Sequence, residues 1–200
     1  DVGCGTGKYI GWLSADHEAW GIDPDEDSIA VARSKYPEGT YRAVDLFGFQ
    51  TDRNFDLIFS MGNVVSHIPH KQLSGFIDCV ESLLKSGGIW MFQTMNWDEI
   101  LRAGHCEFPI IERGGLKFER KYEHVSANDV DFVTRLWEPG SEVIHQCIKL
   151  YPQTEKTIRR LHSKFEFVAM YGNYAKAAAG PEINSRIFVF RKPVSSSGQM

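Results

Sequence analysis

Two hundred residues, 42% hydrophobic and 24% charged, are enough for one folded domain with a sizeable core. A net charge of −4 with no Lys/Arg run excludes the electrostatic footprint of a nucleic-acid binder. No apolar run nears the roughly 20 residues that a membrane-crossing helix needs.

The chain opens on Asp1-Val2-Gly3-Cys4-Gly5-Thr6-Gly7, a glycine-rich turn placed to follow a strand and open a helix. Such a turn lets a ligand approach bare backbone. The helix expected from about Lys8 adds unpaired N–H groups and a positive dipole end. A dinucleotide-binding turn reads G-x-G-x-x-G; here the third glycine comes one residue early, and an acid stands ahead of the first. A doubly wound sheet needs a strand before this turn, and only Asp1-Val2 remain of it, so the chain reads as a fragment.

Residues 8–15 form a short helix with Tyr9, Ile10, Trp12 and Leu13 as its apolar positions, and residues 19–23 form a strand ending at Asp23. At the carboxyl end of a second strand, a carboxylate can accept both hydroxyls of a ribose, with Pro24 beside it. The alternative is a turn aspartate or a helix cap before Pro24. A helix follows over 25–36 and a strand over 41–44, ending at Asp45-Leu46. Residues 55–60 are a mostly apolar strand, with Met61-Gly62-Asn63-Val64-Val65-Ser66-His67 at its carboxyl end, where open α/β sheets bind ligands. A helix over 70–85 carries an apolar stripe from Leu73 to Leu84, Lys85-Ser86-Gly87-Gly88 stops it, and a strand over 89–94 follows.

From 96 to 152 alternation replaces helical spacing. The segments 116–122, 130–137 and 142–151 read as three antiparallel strands, with turns at Gly114-Gly115, Asn128-Asp129 and Pro139-Gly140. A helix over 154–164, a strand over 165–171 and a last strand over 185–192 complete the chain. The tail over 193–200, with its serine run, is expected to be disordered. The units are therefore 1–95, an insertion over 96–152, a closing segment over 153–192 and the tail.

The opening turn resembles motif I of the class I S-adenosylmethionine-dependent methyltransferases, D/E-x-G-x-G-x-G, through Asp1, Gly3, Gly5 and Gly7. Phe55-Asp56-Leu57-Ile58 is similar to the family's fourth strand, and Leu83-Leu84-Lys85-Ser86-Gly87-Gly88 to its "LLxPGG" join. Gly62-Asn63 with His67 resembles the "GNSxxHL" form of small-molecule N-methyltransferases, with Val64-Val65 replacing part of it. The resemblance implies an α/β fold: a doubly wound Rossmann-like sheet whose last strand is antiparallel, with an inserted small antiparallel sheet over the acceptor.

It also implies S-adenosyl-L-methionine as cofactor, held by Asp1, Gly3, Cys4, Gly5, Gly7, Asp23, Pro24, Asp45, Leu46, Met61, Gly62, Asn63 and His67. Asp45 would sit beside the adenine amino group. The reaction implied is in-line methyl transfer to a small molecule, most plausibly an amine, by positioning rather than strong base catalysis. His67, Tyr171, Asn173, Tyr174 and Arg186 are the acceptor-side candidates, with Trp97 and Tyr122 beside them; Arg186 could pair with an acceptor carboxylate. A nicotinamide-dependent oxidoreductase and a non-catalytic cofactor-binding or scaffold domain are the alternatives.

The seven histidines show no metal-ligand spacing. Cys4, Cys79, Cys106 and Cys147 are scattered and read as reduced thiols of a cytoplasmic protein. A small-molecule acceptor is the expected partner, with no nucleic acid and no membrane; a homodimer is the assembly considered.

Overall fold

The structure, a computed structural model, describes residues 1–139, 141–180 and 182–194. Gly140 of the expected turn and residues 195–200 of the expected tail lie outside the described residues.

Elements follow in chain order: α1 (Lys8–Leu13), β1 (Trp20–Asp23), α2 (Glu26–Lys35), β2 (Thr40–Ala43), β3 (Phe55–Ser60), a 3-10 turn (Val64–His67), α3 (His70–Leu83) and β4 (Leu84–Met95). Next come α4 (Trp97–Ala103), β5 (Cys106–Glu107), β6 (Ile111–Arg113), β7 (Leu116–Glu123), β8 (Val130–Glu138) and β9 (Ser141–Leu150). α5 (Glu155–Leu161), β10 (Glu166–Tyr171) and β11 (Ser185–Arg191) close the chain.

β1 and β2 pair in parallel, and β3 and β4 do the same. β11 then runs antiparallel between β4 and β10, so the antiparallel final strand is present. Val2 joins the two parts. It bridges Ile22 in parallel, and its N–H donates to the Phe59 carbonyl at 2.8 Å. Below it, toward the amino ends of β1 and β3, lies a slot of about 780 Å³ with Trp20, Phe49, Phe55 and Leu57 among its walls.

The core lies on the β4–β11 pair. Trp90 and Phe92 of β4, with Phe188 and Phe190 of β11, are each at most 1% exposed and stack ring on ring. Phe76, Ile77 and Val80 on one face of α3 cover them. At about 1.5–3 kcal/mol per buried large side chain, this cluster dominates the stability of the α/β half.

His162 is built into the same stack, 4.2 Å from Phe190 between ring centroids. Its Nδ1–H donates to the Ile158 carbonyl at 2.8 Å, and its Nε2 accepts from the Trp90 indole N–H at 3.1 Å. Only the neutral ring satisfies both bonds. Burial pushes its pKa from 6.5 down to about 4. The folded state thus binds fewer protons than the unfolded state between these values. His162 contributes stability that is full above pH 6.5 and is lost as pH falls toward 4. Urea unfolding at pH 7 and pH 5 should show a loss of about 2 kcal/mol from this residue. His162→Leu should remove that pH-dependent increment; an unchanged increment would contradict the assignment.

Three expectations change. α3 ends at Leu83, not at residue 85, and β4 begins at once; Gly87, at φ 77°, donates its N–H to the Lys192 carbonyl and keeps Leu84–Gly88 in the sheet. The region after Asn96, expected to alternate throughout, opens with a helix. Trp97 and Ile100 of α4 form its buried face, Asp98 and Glu99 sit in its first turn, and Gly104 ends it at φ 75°. The inserted sheet has five strands, not three, because short β5 and β6 both pair with β7.

The insertion is tied to the α/β half through Ser66. Its carbonyl accepts from Tyr151 N–H at 2.7 Å, and its hydroxyl accepts from the Trp97 indole at 2.8 Å. Trp97 stacks on Tyr122, and both are buried with Met95, Val130 and Leu150. These two aromatics form the joint between the halves, not an acceptor wall.

Candidate functional site

The glycine turn crosses the carboxyl ends of β1 and β3. Gly3, Gly5 and Gly7 have φ of 77°, 50° and 79°, values that L side chains rarely adopt. Their surroundings differ. A Cβ on Gly3 would lie 2.5 Å from a Val64 methyl, and one on Gly7 would lie 2.7 Å from the Ala32 Cβ. A Cβ on Gly5 would meet nothing within 4 Å. Gly3 and Gly7 are therefore packed into the protein, and Gly5 faces open space. Ser60 holds the turn from below, its hydroxyl donating to the Val2 carbonyl at 2.8 Å. α1 has only six residues, so the expected dipole contribution is slight.

Asp23 stands opposite Gly5. Its carboxylate accepts the Gly5 N–H at 2.8 Å on one oxygen and the Asp25 N–H at 3.0 Å on the other. The cap of α2 is Asp25, which accepts from Ser28, so Asp23 is not a capping residue. An ionised carboxylate has about four acceptor positions. Two are taken here, and one on each oxygen is left for a pair of hydroxyls. Pro24 is exposed beside it.

Cys4 turns inward. Its sulfur would lie 2.8 Å from a Cβ on Gly21, and burial pushes its thiol up to about 11. Only its backbone faces the turn. Asp1 keeps one side-chain oxygen, Oδ1, buried without a hydrogen-bond partner among the described residues. Asp45 accepts the Gly48 N–H at 2.8 Å, which closes its own loop and leaves the other oxygen open. The Leu46 side chain is buried in the core, so only its backbone is available.

Met61-Gly62-Asn63 forms the opposite wall. Gly62 and Asn63 both have left-handed backbones, at φ 81° and 68°. Their N–H groups converge on Gln93 Oε1, at 2.8 and 3.1 Å. Asn63 answers in the other direction: its Oδ1 accepts from Ser66 Oγ at 2.6 Å, Thr94 Oγ1 at 3.0 Å and Met95 N–H at 3.1 Å. Its amide oxygen is therefore part of the scaffold. His67 lies on the rim. Desolvation lowers its pKa, partly opposed by the Asp23 carboxylate across the site, so the ring is neutral at pH 7.

The acceptor-side candidates separate. Arg186 donates to the carbonyls of Gly180, Ile183 and Ser185, at 2.9, 2.9 and 3.0 Å, and is committed to its own loop. Asn173 Oδ1 accepts from Ala175 and Ala177 N–H. Tyr171 lies in β10 opposite Ile187, half-buried. Tyr174 is 64% exposed and reaches across to the Met61 sulfur at 3.9 Å. The phenol of Tyr9 meets it there; desolvation and Tyr9 raise the Tyr174 pKa. The structure thus brings Tyr174 and His67 to the site and uses Asn173 and Arg186 to shape the loop.

Sequence reasoning missed Gln93, Ser66 and Tyr9. A polar Gln93 near the carboxyl end of an otherwise apolar strand was the one available signal.

The family model for a methyltransferase domain matches residues 1–88, the segment that carries the glycine turn, Asp23, Asp45 and Met61-Gly62-Asn63. Residues 1–88 therefore carry a methyltransferase domain. Among similar proteins, the dTDP-3-amino-3,4,6-trideoxy-alpha-D-glucopyranose N,N-dimethyltransferase of Streptomyces venezuelae is 24% identical over 164 residues, 78% of this chain and 69% of that protein. The trans-aconitate 2-methyltransferase of Escherichia coli O1:K1 is 31% identical over 105 residues, 50% of this chain and 40% of that protein. In fold, the methyltransferase CcbJ of Streptomyces caelestis superposes with a TM-score of 0.84 at 14% identity, over 96% of this chain and 86% of that one. The expected methyltransferase domain and Rossmann-like sheet are present, with the additional antiparallel sheet in place.

Proposed function

We propose that this methyltransferase transfers the donor's methyl group to the nitrogen of a small-molecule amine, and that the strand-end cleft around Gly5 and Asp23 is the donor site. The observation that carries the reading is the Asp23 carboxylate, tied to the Gly5 N–H yet with acceptor positions open beside an empty face of the turn. Three features fit the nucleoside sulfonium: unfilled positions on Asp23 for ribose hydroxyls, the Gly5 face that a Cβ would fill, and the unpartnered Asp1 oxygen. The Asp45 oxygen not used by Gly48 suits the adenine N–H₂. When bound, the cofactor supplies an electrophilic methyl on sulfur; the S–C bond breaks as the N–C bond forms, and the electron pair returns to sulfur.

The chain's own residues then have to orient the acceptor and shed a proton. Tyr174, Tyr9 and a neutral His67 border the cleft with groups that can accept an N–H and leave the nitrogen lone pair aimed at the methyl group. A carboxylate acceptor is less well served, since Arg186 is held by three backbone carbonyls. The amino-sugar acceptor in the name of the Streptomyces venezuelae relative supports nitrogen, whereas the Escherichia coli relative is named for trans-aconitate.

Incubation with methyl-labelled donor and a panel holding a dTDP-amino sugar, simple secondary amines and trans-aconitate is the test. Label on nitrogen is the expected outcome. Label on trans-aconitate alone would overturn the amine reading.

A further inference from the structure

Gln93 has no assigned role, yet it is the hinge of the wall formed by Met61-Gly62-Asn63. It stands on β4 beside the carboxyl end of β3, in register opposite Ile187 of β11. Two successive backbone N–H groups, of Gly62 and Asn63, end on its single amide oxygen. The orientation of the amide follows from these donors, because an NH₂ in that place would face two N–H groups. All peptide bonds here are trans. In a trans peptide the carbonyl points opposite to the N–H of the same plane. The carbonyls of Met61 and Gly62 must therefore face away from Gln93 and β4; the glycine turn lies on the other side of β3 from β4, where Val2 N–H bonds the Phe59 carbonyl.

Two successive carbonyl acceptors, with no hydrogen to offer, suit a cationic N–H donor. The donor molecule has one such group, the α-ammonium of its amino-acid half. Two left-handed residues in succession are costly for Asn63 and would relax if unanchored. The reciprocal bonds of Asn63 Oδ1 into β4 fix the far end of the turn, and Gln93 fixes the near end.

We infer that Gln93 is a positioning residue: by holding the Gly62 and Asn63 N–H groups it aims the Met61 and Gly62 carbonyls at the ammonium of the methyl donor. The inference rests on the donor-site reading above. It makes a distinction that a merely structural role does not. Loss of Gln93 should weaken ligands carrying the amino-acid half and spare those without it.

The experiment is calorimetric titration of the full chain and two variants, Gln93→Met and Gln93→Glu, with S-adenosylhomocysteine and with 5′-methylthioadenosine, which lacks the ammonium. Gln93→Met removes the acceptor at similar volume, and the dissociation constant for S-adenosylhomocysteine should rise about tenfold or more. That for 5′-methylthioadenosine should stay within about twofold, because its contacts lie elsewhere. Gln93→Glu keeps an acceptor oxygen and should stay within about threefold for both ligands. Faster amide exchange at Gly62 and Asn63 in Gln93→Met is the independent sign that the turn has been released.

Equal weakening of both nucleosides would overturn the inference, as would undiminished S-adenosylhomocysteine binding by Gln93→Met. Failure of the unaltered chain to bind either nucleoside would instead overturn the donor-site reading, and with it this one.

Discussion

Asp23→Ala should raise the dissociation constant for S-adenosylhomocysteine by about a hundredfold or more, while leaving the protein folded. The carboxylate does two things at once. It holds the glycine turn against β1 through Gly5, and it keeps acceptor positions free in the same cleft. Alanine loses both. The Gly5 N–H is then left without its acceptor, and the ribose hydroxyls lose a charged partner. Each charge-assisted bond is worth about 1.5–3 kcal/mol, so two suffice for the stated factor. Asp23→Asn should fall between, since an amide has one acceptor oxygen where the carboxylate has two. Calorimetry on samples matched by circular dichroism is the check. An alanine variant that bound within about threefold of the unaltered chain would show that the cleft is not the nucleoside site.

The second large effect separates the three glycines. Gly7→Ala combines a left-handed backbone with a Cβ 2.7 Å from Ala32 and 2.9 Å from the Tyr41 ring. Strain and overpacking together should cost about 2–4 kcal/mol. For a chain of this size, that lowers the melting temperature by about 5–15 °C. Gly5→Ala has the same kind of backbone but open space around it. It should cost only about 1–2 kcal/mol of stability and yet weaken S-adenosylhomocysteine about tenfold or more, because its methyl would stand where the ligand goes. Thermal unfolding paired with titration reads both quantities. If Gly5→Ala bound normally and Gly7→Ala melted normally, the division of the turn into a packed part and a ligand-facing part would be wrong.

These effects also mark what the sequence could carry. The glycine spacing, the acid at residue 23 and the apolar run over 55–60 are local patterns, and local patterns survive in one dimension. The α/β half was legible for that reason. Gln93 and Asn63 were not, because their roles are exchanged across two strands: each side chain bonds the other strand's segment. Arg186 was read as a free cation because nothing local reports that three carbonyls of its own loop surround it. Trp97 reads as part of an alternating stretch, although it shares a helix face with Ile100 three residues on and anchors the insertion through Ser66. His162 gave no sign of its aromatic stack, whose members come from β4 and β11.

The central claim is that the cleft between Gly5, Asp23 and the Met61–Asn63 turn binds the sulfur nucleoside. The most direct test is competitive calorimetry of the unaltered chain with S-adenosylmethionine, S-adenosylhomocysteine and NADH. Binding of both sulfur nucleosides at one site per chain, undisturbed by NADH, is the predicted result. Binding of NADH with no response to either sulfur nucleoside would contradict it.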